Sequence, residues 1–148
     1  MKKFSLSFFI LLVAAFLFAA NKFSSQESSE PWTDKQLIQP AELAKNLNDA
    51  NSKKPLIYSI GFGGGIKNSI EFGAVKEKVN LEKLKSALEK LPKDSPIVLY
   101  CGCCPFEHCP NVRPAFQLLN EMKFINHKLL NLSHNLKTDW IDKGYPVN

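Results

Sequence analysis

Arginine is almost missing from this sequence: one residue, Arg113, stands among 18 lysines. Runs of five or six cations are also missing, and a net charge of +5 is modest. Nothing therefore points to nucleic acid as a partner. The glycine-rich stretch Gly61-Phe62-Gly63-Gly64-Gly65 lacks a following Gly-Lys-Ser/Thr, and Ile66 stands where a dinucleotide fingerprint needs its third glycine. It reads as a flexible loop leaving a strand rather than as a phosphate cradle. No internal repeat is present, and 148 residues exclude two full domains. With 45% hydrophobic and 22% charged residues, the composition is that of an ordinary globular domain. A chain of this size buries a core without disulfide staples.

Met1-Lys2-Lys3 followed by the uncharged, apolar run Phe4–Ala20 and the small pair Ala19-Ala20 has the form of an export signal. The competing reading is an uncleaved anchor, although the run is shorter than the ~20 residues that span a bilayer. Residues 1–20 are thus expected to be a signal peptide, 21–31 a Ser-, Gln- and Glu-rich linker, and 32–148 the folded domain. Export places that domain in the periplasm or outside the cell. There, thiols are paired, metal-bound or kept reduced for use. Contact with a membrane is expected only if the leader is retained.

Local signals alternate along the domain. Pro40 suits the first turn of a helix reaching Asp49, with Leu43, Leu47 and Ala50 at helical spacing. Leu56–Ile60 is a short buried strand. Leu81, Leu84, Leu88 and Leu91 mark one face of a helix that Pro92 stops. Ile97–Tyr100 is the clearest strand. Pro114–Lys123 is expected to be a helix that turns Phe116 (or Ala115), Leu119 and Met122 inward. Lys128–Leu132 follows as a strand, and Asn135–Lys143 as a last helix ended by Gly144 and Pro146. This alternation predicts an α/β fold of three layers, a mostly parallel sheet flanked by helices. Sites in such folds form beyond the carboxyl ends of strands.

All four cysteines lie in one such place, the loop Cys101-Gly102-Cys103-Cys104-Pro105-Phe106-Glu107-His108-Cys109 after the strand ending at Tyr100. Disulfides closing loops this short would restrict the unfolded chain little. Three uses remain. A nucleophilic thiolate would have its pKa lowered by converging loop amides and a helix N-terminus. Cys101 is first in line because it follows the strand directly, and it is expected to have the depressed pKa. Cys104 and Cys109 stand in reserve, and Arg113 at the helix start would clamp an anionic substrate. Alternatively, Cys101, Cys103, Cys104 and Cys109 offer soft ligands for zinc or copper(I), with His108 nearby, although structural zinc sites usually use two separated knuckles. Finally, Cys101-Gly102-Cys103-Cys104 carries the Cys-x-x-Cys spacing of thiol–disulfide exchangers. Trp140 and Phe116 read as core, His108 as a solvated loop residue, and His127 and His134 receive no role.

Residues 32–147 resemble the rhodanese (sulfurtransferase) family. Ser69-Ile70-Glu71-Phe72-Gly73-Ala74 is similar to the family's His-Ile-Pro-Gly-Ala segment, and Ile97–Cys101 to its strand ending in Tyr-Cys. Arg113–Leu119 resembles the helix after the active loop, and Asp139–Val147 the family's closing segment. The resemblance implies a rhodanese-like fold and a two-step sulfur transfer. A cysteine thiolate takes the outer sulfur of a donor such as thiosulfate, and the persulfide passes it to cyanide or a thiol. The implied partners are a small sulfur-containing anion or a thiol, with no cofactor. The implied carrier is Cys101, with Gly102 and Arg113 on the substrate. Three departures stand out. Phe106 stands where the family usually places its Arg, five beyond the Cys, and Arg113 lies twelve beyond Cys101. Cys109 is four steps from Arg113 and so competes for the nucleophile's place. Ser59 replaces the family's common Asp.

Overall fold

The computed structural model describes residues 30–148. The expected leader (1–20) and nearly all of the expected linker (21–31) lie outside the described residues. The elements run β1 (Leu37–Ile38), α1 (Pro40–Asn48), β2 (Leu56–Ser59), β3 (Ser69–Glu71), α2 (Lys78–Leu88), β4 (Ile97–Tyr100), α3 (Val112–Glu121) and β5 (His127–Leu130). A final helical turn, Lys137–Ile141, carries an i→i+5 bond from the Asp142 amide to the Lys137 carbonyl at 2.8 Å. The five strands form one sheet in the order β1-β5-β4-β2-β3, and every pairing is parallel. No helix among the described residues is long and apolar enough to cross a membrane.

The sheet is covered on both faces, which explains why β4 reads as an unbroken apolar run rather than an alternating one. Ile97 and Leu99 face α2 and α3, where Leu84, Leu88, Phe116 and Leu119 are fully buried. Val98 and Tyr100 face the other side, packing with Leu43 of α1, Leu136 and Trp140. Each large side chain so buried contributes roughly 1.5–3 kcal/mol. Trp140, expected in the core, has no exposed surface, and its indole N–H donates to the Pro146 carbonyl at 2.9 Å.

The fold is the expected α/β architecture of three layers. The differences are local. Strands β1 and β3 are absent from the sequence reading because each is very short and β3 is mostly exposed at the sheet edge. The helix expected from Pro114 starts at Val112, since Asn111 already occupies its cap.

His127, which the sequence left without a role, opens β5 as a buried residue. Its ring lies 4.6 Å from Phe116, and Nε2 sits 3.0 Å from the Asn120 amide oxygen. Burial holds its pKa below the ordinary value. The unfolded chain therefore binds the proton first. Stability is full above the unfolded pKa of about 6.5 and falls as pH drops below it, down through the lower folded value. Melting temperatures of wild type and His127→Gln, each at pH 7.5 and 5.5, check this. The wild type is expected to lose more on acidification than the variant.

Candidate functional site

Strands β2 and β4 are neighbours, yet their chains leave in opposite directions. The segment after β2 runs to β3 on one edge, while that after β4 runs through α3 to β5 on the other. Such a divergence opens a crevice at the carboxyl ends of the strands. The cysteine loop comes off β4 there, and the glycine loop 61–65 comes off β2.

The four sulfurs converge. Each cysteine contributes one Sγ, and all four lie within 4.8 Å of one another. Cys101 Sγ is 3.5 Å from Cys103 Sγ, which is 3.3 Å from Cys104 Sγ. The short turn Phe106–His108 reverses the chain and returns Cys109 to the group. Phe106 anchors that turn, with its ring buried and its amide donating to the Leu132 carbonyl at 3.0 Å. Cys101 and Cys109 are buried, Cys104 is half-buried and Cys103 is exposed.

Asn111 organises the buried pair. Its Nδ2 lies 3.7 Å from Cys101 Sγ and 3.8 Å from Cys109 Sγ, and its Oδ1 accepts the Lys76 amide at 3.0 Å. Cys109, just before α3, also receives the backbone N–H groups of Asn111 and Val112. The thiols share their protons unequally. The Cys101 thiol hydrogen-bonds to Cys109, which with the Asn111 and Val112 amides draws Cys109 down to about 5 against the cost of burial. The same bond, and then burial, raises Cys101 well above the ordinary thiol value. Burial, then a bond with Cys103, pushes Cys104 up to about 12. The expectation that Cys101 carries the depressed pKa is thus reversed. Cys101 follows the strand as expected, but the helix N-terminus faces Cys109.

The glycine loop does more than leave a strand. A Cβ on Gly61 would collide with Cys101 Sγ and lie 3.1 Å from Asn111 Nδ2. Gly102 packs its Cα against the Gly63 carbonyl, and its own carbonyl accepts the Leu136 amide at 3.0 Å. Tyr100 ties the loops from below, with its hydroxyl 3.0 Å from Ser69 Oγ and accepting the Gly65 amide at 3.2 Å. Ser59, where the resemblance expects Asp, is fully buried. The sequence reading missed Gly61 and Asn111. The only trace of Asn111's role was an amide residue at a helix cap, two steps beyond a cysteine.

Arg113 does not point at the sulfurs. Its guanidinium donates to Glu30 Oε1 at 2.5 Å and to the Glu107 carbonyl at 2.8 Å, and sits 5.6 Å from the Trp32 ring. It lines a cleft of about 640 Å³ with Glu30, Trp32, Glu107 and His108, and no cysteine lines that cleft. Arg113 thus fastens the outer side of the cysteine loop through the Glu107 carbonyl and Glu30, and the anion clamp stands as an expectation. His108 is exposed, as expected. Since the Arg113–Glu30 pair is partly exposed and screened by solvent, Arg113→Ala is expected to cost about 1 kcal/mol and to leave thiol reactivity unchanged. Denaturant melts and alkylation rates on that one variant check both halves of the expectation.

No family model matches this chain, and a search of the curated proteins finds no match.

Proposed function

We propose that the chain is a rhodanese-type sulfurtransferase that carries sulfane sulfur as a cysteine persulfide. The observation that carries this reading is the convergence of four sulfurs within 4.8 Å at the carboxyl edge of a parallel sheet, directly after β4. Loose structural cysteines have no reason to meet there, and nucleophiles do. The resemblance of the β4–Cys101 segment and of the closing segment to rhodaneses points the same way.

Of the four, Cys109 has the most hydrogen-bond donors aimed at it: two backbone amides, the Asn111 side chain and the Cys101 thiol. We assign it the carrier role. Its thiolate attacks the outer sulfur of a donor such as thiosulfate. The donor's S–S bond breaks, sulfite leaves with the electron pair, and Cys109 holds a persulfide. An acceptor, cyanide or a thiol, then attacks the terminal sulfur and returns Cys109 as thiolate. The donors at Cys109 stabilise the negative charge at both ends of the cycle. Exposed Cys103 and half-buried Cys104 form a rim over the buried pair, so loading includes an opening of that rim. The Lys2-Lys3 leader makes the cell envelope the proposed setting.

Intact-mass measurement of the reduced full chain before and after thiosulfate or polysulfide tests the reading. The expected result is a gain of one sulfur atom that cyanide removes as thiocyanate. A chain that gains no sulfur from either donor would overturn it.

A further inference from the structure

We propose that Cys101, Cys103, Cys104 and Cys109 also bind a single zinc(II) ion. The inference is independent of sulfur transfer and rests on where the ligand atoms lie. A tetrahedral thiolate site with Zn–S near 2.3 Å holds its sulfurs about 3.8 Å apart. Here two neighbouring pairs stand at 3.5 and 3.3 Å, and no pair exceeds 4.8 Å. Separations of this size are close to those that one tetrahedral ion requires. An iron–sulfur cluster shares its cysteines among two or more irons and spreads them wider than this. Copper(I) is satisfied by fewer thiolates and would leave a cysteine of this group unused, whereas four sulfurs match zinc's coordination number.

The linear spacing had argued against a metal, because a single crowded stretch is not the usual pair of knuckles. The structure removes the objection. The Phe106–His108 turn folds the stretch back, so that Cys109 faces Cys101 and Cys103 as a second knuckle would. The surroundings are also those of a ligand site. Asn111 reaches both buried sulfurs with one amide nitrogen, and the Lys76 amide fixes its orientation from behind. N–H groups aimed at sulfur favour thiolate ligands, and outer-shell donors of this kind tune metal affinity. Gly61 and Gly102 let the two loops approach closely enough to set Cys101 in place before any ion arrives.

Zinc and a persulfide need the same sulfur lone pairs, so the two states exclude each other. Zinc would cap the thiols in a resting form, protected from oxidation, and its departure would release them for sulfur loading.

The test uses the reduced full chain, stripped of metal by a chelator and titrated with zinc(II), with cobalt(II) as the spectroscopic probe. We expect one ion per chain, tetrahedral cobalt bands with sulfur-to-metal charge transfer, and protection of all four thiols from alkylation until chelator is added. Proton release should accompany binding. Exposed Cys103→Ser should keep the circular dichroism of the wild type and lose at least about tenfold in zinc affinity, and Asn111→Ala about 10–100-fold. Unchanged alkylation of all four thiols in the presence of zinc would overturn the proposal. So would protection of only two or three of them, or one zinc shared by two chains. Because none of these readouts involves sulfur uptake, failure of the zinc site and failure of the transfer reading are seen separately.

Discussion

Cys109→Ser is expected to abolish persulfide formation, a fall of several orders of magnitude of the kind seen when a covalent nucleophile is removed. Serine keeps the shape but offers a far poorer nucleophile, and the amides of Asn111 and Val112 would then face a neutral hydroxyl. Cys101→Ser removes the thiol that donates to Cys109 and should slow uptake without ending it. Cys103→Ser, at the exposed rim, should leave one sulfur per chain still loaded. Asn111→Ala removes one donor of several and should slow loading by roughly 10²-fold, the scale for losing a single positioned hydrogen bond to developing charge. Intact mass after a timed exposure to thiosulfate reads all four variants. If Cys109→Ser loads normally while Cys101→Ser does not, the carrier is the cysteine at the strand end, and the helix-cap donors serve another purpose.

Gly61→Ala is expected to damage fold and site together. Its added Cβ meets Cys101 Sγ at an impossible separation and Asn111 Nδ2 at 3.1 Å, with Cys101 Cβ 3.5 Å away. Cys101 directly follows a fully buried strand and is itself buried, and Asn111 is held by the Lys76 amide, so neither can retreat cheaply. Overpacking of this kind costs roughly 1–3 kcal/mol, which lowers the melting temperature by about 5–10 °C. Sulfur loading should fall with it, because the shifted Cys101 and Asn111 are partners of Cys109. Gly144→Ala is the control. Its φ of +69° strains any side chain, but nothing lies within 4 Å of the added atom, so a loss near ~1 kcal/mol with normal loading is expected. Equal loading in both variants would show that the contact at Gly61 has no bearing on the site.

The covered parallel sheet was legible because its central strands carry their own signal. Ile97–Tyr100 is apolar at every position, which only a strand buried on both faces requires, and helices with leucine or phenylalanine stripes flank it. Strands β1 and β3 carry no such signal. Two or three residues at a sheet edge acquire their conformation from the neighbour they pair with, Leu129–Leu130 for β1 and Ile57–Ser59 for β3. Propensity over so short a stretch decides little.

The sequence by itself determined that all four cysteines lie in one loop, within nine residues after a strand. Which cysteine meets the helix N-terminus was decided only by tertiary structure. The order of the chain favours Cys101, while the Phe106–His108 turn carries Cys109 back to the start of α3, beside the backbone amides of Asn111 and Val112. Arg113 shows the same division in reverse. Its rarity and position suggested an anion clamp, yet one helix has two sides, and Trp32, Glu30 and the Glu107 carbonyl hold the guanidinium on the far one. The side of a helix that faces a crevice depends on what its other face buries, and here Val112, Ala115, Phe116 and Leu119 fix that rotation against the sheet. Residue order supplies the reactive groups. Only the packing of helix on sheet decides which of them meet.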